Sequence, residues 1–157
     1  MQQTVLASLV RQAKGTELLL SLLREEYSLL RKGRPDEVTG LEMDIQELVR
    51  QLVREREFLI RVLERAGRGR LADFLAGVDP ERRGEFEAWR ARIIAHEQES
   101  ARQTSVNAEL AMALWEQSGN LLRHFQNQVV PRERNTYTAK GTWGSRPATA
   151  TMVRGRL

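Results

Sequence analysis

Apolar residues in the first stretch of the chain fall at Leu6, Leu9, Ala13, Leu20, Leu23, Tyr27 and Leu30, with Thr16 in the one polar slot. The steps alternate three and four, the spacing of a coiled-coil seam, and predict a helix over residues 3–32. The run "RKGRPDE" ends it: Gly33 suits the left-handed position after a helix, and Pro35 forbids continuation. A second seam follows at Val38, Leu41, Ile45, Leu48, Leu52, Leu59, Val62 and Ala66. Glu55 is its one charged intruder, and Val49, Val53, Ile60 and Leu63 widen the stripe enough for a second partner helix. This predicts a helix over 36–66, with Asp36 as its N-cap and Glu37 favouring the positive end. A short connection between two such helices predicts an antiparallel hairpin.

The run "AGRGR" at 66–70 interrupts the pattern, and "LADFLAG" has room for only a short helical turn. In "GVDPERR", Asp79 can cap, Pro80 fits the first helical position and Glu81 falls in the first turn, so a third helix is predicted over 80–129. Its stripe opens with Phe86, Trp89 and Ile93 and lapses in the polar stretch "AHEQESARQTS" at 95–105. It returns with Val106, Leu110, Leu114, Leu121 and Phe125, with Ala111, Ala113, Trp115 and Leu122 alongside. Two arrangements fit: one long helix with a weakly buried middle, or a helix that bends there. No strand pattern and no internal repeat is visible. The expected fold is all-α, a long antiparallel helical hairpin plus a third long helix in a three-helix, coiled-coil-like bundle. The division expected is a helical domain over 1–130 and a basic, non-helical tail over 131–157.

Composition changes this picture little until the charge is located. The chain has 157 residues, enough for one domain, and only 6% are aromatic, so Leu, Ile and Val must build the core. The net charge is +4, but Arg132, Arg134, Lys140, Arg146, Arg154 and Arg156 stand against Glu133 alone, giving the tail +5 and residues 1–130 a balance of −1. Such a tail suits an acidic partner, nucleic acid or anionic lipid; equally, it suits a solvated end that keeps the protein in solution. Gly and Pro in the tail oppose a continuous amphipathic helix, so membrane insertion is not expected. The start "MQQTVLASLV" lacks the features of a signal peptide, and "LLLSLL" is too short to span a bilayer, so a cytoplasmic protein is expected.

Chemistry is sparse. With no Cys, there is neither a disulfide framework nor a thiolate metal site. His96 and His124 stand alone, "HEQE" lacks the second His of a zinc helix, and "GRGR" lacks the strand and Lys-Ser/Thr of a phosphate loop. Glu25–Glu26 and Glu97–Glu99 lie among Arg residues, where solvated faces and pairing four residues apart account for them. No enzymatic activity, cofactor or metal is expected.

Three stretches together resemble the FlgN family of flagellar export chaperones. "LLLSLLREEYSLLRKGRPDEVTGLEMDIQELVRQLVRERE" at 18–57 resembles the family's first hairpin, and "VNAELAMALWEQSGNLLRHF" at 106–125 its late helix. "TYTAKG" at 136–141 resembles the Tyr-containing segment that follows. The family often repeats Asn three residues apart in the late helix; here Asn107 is preceded by Thr104. "ADFLAGVDPERR" is an individual linker, and the residues after Gly141 have no counterpart. The resemblance implies a non-enzymatic cytoplasmic chaperone. It would bind hook–filament junction proteins, prevent their premature assembly, and help deliver them to the flagellar type III export gate.

Under that reading the cargo-binding candidates are Asn107, Leu110, Leu114, Leu121 and Phe125, although the four apolar residues fit packing on the first hairpin equally well. In the tail, Tyr137 is a candidate anchor, with Arg132, Arg134 and Lys140 steering toward acidic surfaces. Two rival classes stay open. One is a generic coiled-coil adaptor or scaffold, possible as a homo-oligomer; the other, a nucleic-acid accessory protein, is not expected because no recognised module frames the basic residues.

Overall fold

The computed structural model describes residues 1–129. The elements are α1 (Gln2–Lys32), α2 (Pro35–Arg65), the short α3 (Leu71–Ala76) and α4 (Pro80–Val129), and no strand occurs among the described residues. The chain forms two compact units, Met1–Ala111 and Met112–Leu157, the second described through Val129. The expected tail over 131–157 lies outside the described residues.

The turn between α1 and α2 is set by two residues. Gly33 adopts φ 65°, ψ 44°, and its N–H donates to Leu30 O while that of Arg34 donates to Leu29 O. This paired closure satisfies carbonyls that would otherwise end the helix unbonded. Pro35 then opens α2, where its missing N–H costs nothing. The expectation that Asp36 caps α2 is corrected: Arg34 occupies the cap, and Asp36 and Glu37 lie in the first turn. Pro35 pulls the helix start back, and Glu37 accepts a hydrogen bond from Arg34 at 2.9 Å.

Helices α1 and α2 run antiparallel, as the contacts Ser8–Glu55, Gly15–Leu52 and the cluster of Leu29, Val38 and Leu41 require. At Gly15 the helices approach so closely that an added Cβ would stand 2.6 Å from Leu52 Cδ2. Within the first unit, α4 runs parallel to α1, with contacts from Gln2 to Arg82, Thr16 to His96 and Leu23 to Asn107. The main core lies where α3 meets the helices. Val5, Leu9 and Ala13 pack with Leu59 and Leu63, with Phe74 and Leu75 of α3, and with Val78, Phe86 and Ile93. Phe74 and Phe86 meet edge to face, ring centroids 6.1 Å apart. Arg83 stitches the α3–α4 connection by donating to Val78 O at 3.1 Å.

The seam of α1 holds at Leu9, Ala13, Thr16, Leu20 and Leu23, but Val5, Ser8, Gln12 and Leu29 are buried as well. Because α1 touches both α2 and α4, it needs a broader buried face than one seam provides. The charged intruder Glu55 has a purpose in that face. Ser8 Oγ and Arg11 Nη2 each donate to Glu55 Oε1 at 2.7 Å, and Gln12 Nε2 donates back to Ser8 Oγ at 3.3 Å. The Arg11 hydrogen bond, helped by that of Ser8, holds the Glu55 carboxyl below its ordinary range against partial burial.

A carboxylate whose folded pKa is depressed contributes stability above its unfolded pKa and loses it as pH falls through the folded value. Glu55→Gln should therefore cost about 1 kcal/mol at neutral pH and shrink the stability lost below about pH 4.5. Urea midpoints measured from pH 7 to 3 check this; parallel acid profiles for the two proteins would contradict it.

The polar stretch 95–105 is part of one continuous helix rather than a bend. It meets α1 through polar contacts: Thr16 Oγ1 lies 3.3 Å from His96 Nδ1, and Ser100 and Asn107 are buried. Leu63 joins the core, but Val49, Val53 and Ile60, expected to serve a second partner helix, stay exposed. Opposite Val49, α4 presents Ser100, Ala101 and Thr104, side chains too short to fill the space. A groove of about 460 Å³ remains there, floored by Leu19 and Leu23 of α1. Arg56 and Glu97 bridge the same two walls as an ion pair. No described helix is long and apolar enough to cross a membrane.

Candidate functional site

The predicted cargo residues divide by environment. Asn107 does not face outward: it is 3% exposed, and both ends of its amide are engaged inside the first unit. Its Nδ2 donates to Leu23 O at 2.7 Å and to Glu26 Oε2 at 2.6 Å, while its Oδ1 accepts from Gln103 Nε2 at 2.9 Å. A buried amide with every group satisfied fixes its own orientation and ties α4 to α1 at one register. The nearby pair Arg24–Glu99, 3.9 Å apart, adds a looser tie.

Leu110 is half-buried in the same unit. In the second unit Leu114 is half-buried, whereas Leu121 is 56% and Phe125 53% exposed. No residue from Ala108 to Gln128 is buried. The helix carries Met112, Trp115 and Leu122 exposed on the same stretch, with Trp115 78% exposed. Five large apolar side chains within Met112–Phe125 are more than half exposed, spread over two lines of the helix, and so much exposed apolar surface on one short stretch makes it a candidate interaction site.

The sequence stripe contained these residues, but it did not distinguish those that would be left uncovered. Beyond Asn107, the polar and small residues Ala108, Glu109, Ala111 and Ala113 alternate with leucines that find no buried partner. Tyr137, Arg132, Arg134 and Lys140 lie outside the described residues.

The described residues hold no group of three or more His, Cys, Asp or Glu side chains arranged to bind a metal ion. The grooves of the first unit are lined by aliphatic side chains with scattered Glu, Gln and Arg, and Glu97 at one wall is already paired with Arg56.

No curated protein and no solved structure matches the chain. The family model described as FlgN protein matches residues 1–143, nearly the whole chain. The chain belongs to the FlgN family of flagellar export chaperones.

Proposed function

We propose that the protein binds hook–filament junction proteins in the cytoplasm through the late part of α4, prevents their premature assembly and helps deliver them to the flagellar type III export gate. The observation that carries this reading is the exposed apolar face at Leu121 and Phe125, on a helix of a chaperone-family member. A protein that assembles through terminal helices must expose an apolar helix face before it polymerises. A second helix with apolar anchors at matching spacing shields such a face. Leu110, Leu114, Leu121 and Phe125 supply that spacing, and the polar residues between them keep the contact releasable. Asn107 acts indirectly, by holding the first-unit part of α4 on α1. In the tail, Tyr137 serves as an aromatic anchor, and Arg132, Arg134 and Lys140 draw it toward an acidic partner surface.

Calorimetric titration of the full chain with purified junction proteins tests this. Leu121→Ala and Phe125→Ala should each weaken binding by about 1 kcal/mol or more, with helicity unchanged because both side chains are exposed. Tyr137→Ala should weaken engagement of cargo or export gate in the same way. Wild-type affinity in the folded Leu121 and Phe125 variants would remove this surface from the mechanism.

A further inference from the structure

We propose that a second apolar line on α4, running through Met112, Trp115 and Leu122, pairs with the same line of a second copy of this chain in an antiparallel, two-fold symmetric contact. This goes beyond cargo binding and uses a different line of the helix. At 100° per residue, the line through Met112, Trp115, Gly119 and Leu122 lies roughly 130° around the axis from that through Leu110, Leu114, Leu121 and Phe125. The steps of three, four and three are those of a coiled-coil seam. Trp115 is 78% and Leu122 59% exposed, so the line has no cover among the described residues.

Charge selects the occupant and its direction. Glu116 and Arg123 are exposed, lie one heptad apart and flank the same edge of this line. Neither forms an ion pair among the described residues. In an antiparallel pair, flanking positions of this type face each other across the seam. One register brings Glu116 opposite Arg123 of the second copy and, by the two-fold axis, Arg123 opposite Glu116 of the second copy. A two-fold contact of this kind is self-complementary, so it closes on two chains. The same register sets Leu122 opposite Gly119 of the second copy. Gly119 has no heavy atom within 4 Å of an added Cβ, so space for Leu122 is open there. It also sets Trp115 opposite Gln126 of the second copy, at a polar layer nearer the rim of the contact. The 18 helical residues from Met112 to Val129 give about 27 Å of seam on each copy. A contact this short supports a weak dimer, with a dissociation constant on the order of 10–100 µM.

The test is sedimentation velocity on the full chain, at low salt, over a concentration series reaching several hundred micromolar. The wild type should pass from monomer to dimer and no further. Leu122→Glu should stay monomeric throughout, with helicity and thermal midpoint kept, since the side chain is exposed in its own chain. Glu116→Arg and Arg123→Glu should each weaken the dimer about tenfold by opposing like charges. The double variant Glu116→Arg/Arg123→Glu should recover most of the wild-type association. A wild type that stays monomeric at every concentration would overturn the proposal. So would a dimer that survives Leu122→Glu, or a double variant no stronger than the single ones. Cargo affinity does not enter these measurements, so failure of the dimer and failure of cargo binding are separately visible.

Discussion

Phe86→Ala should lower the folding free energy by about 3–5 kcal/mol, the usual cost of emptying a fully buried aromatic site. Phe86 has no exposed surface and stands at the junction of α1, α2, α3 and α4, edge to face with Phe74. Truncation removes the ring's contacts with both the hairpin and α3 and leaves a void that rigid helices cannot close. For a chain of this size the thermal midpoint should fall by about 10 °C. Phe125→Ala is the matched control: the same substitution at a 53% exposed site should change stability by no more than about 0.5 kcal/mol. Thermal melts followed by circular dichroism compare the two. Equal midpoints would mean that the main core does not lie at the α3 end.

Asn107→Ala should cost about 2 kcal/mol, because Glu26 and Gln103 lose a buried amide that satisfied them. Its effect should also be local. Amide exchange should speed up along α4 around residues 96–111, while the slow amides of α1 and α2 near Leu9 and Leu59 keep their protection. Asn107→Asp sharpens the point. It sets a carboxylate in place of the amide whose Nδ2 lies 2.6 Å from Glu26 Oε2, so the penalty should be greater at pH 7 than near pH 4, where protonation relieves the repulsion. A penalty independent of pH would mean that Glu26 is not the partner. Uniformly faster exchange across all helices would mean that Asn107 supports the whole fold rather than the register of α4.

The sequence disclosed the elements because their ends are chemically marked. Gly33 closes α1 and Pro80 with Glu81 opens α4 at the expected places, while Pro35, expected only to end α1, opens α2 one residue before the expected cap. The seam of α2 was legible at Val38, Leu41 and Leu59 because these positions pack on α1 at a regular helical period. The burial of Ser8 and Gln12 was not, since polar residues enter a seam only when a partner arrives, and Glu55 lies 47 residues from Ser8. Phe74 and Leu75 escaped notice as core because a six-residue helix is too short to show a period. Asn107 looked like a surface residue for the same reason as Ser8: its acceptors lie on α1, 81 and 84 positions away. The apolar line at Leu121 and Phe125 was visible as a pattern, whereas periodicity alone does not tell a covered stripe from an exposed one.

The groove beside Ile45 and Val49 and the exposed end of α4 are distinct places for a helix to dock, and the proposed function commits to the second. Hydrogen exchange on the full chain, with and without a bound junction protein, separates them most directly. The account predicts new protection across residues 110–125 of α4, with the amides around Ile45 and Val49 unchanged. Protection confined to residues 42–56 of α2, with 110–125 exchanging as in the free protein, would contradict it.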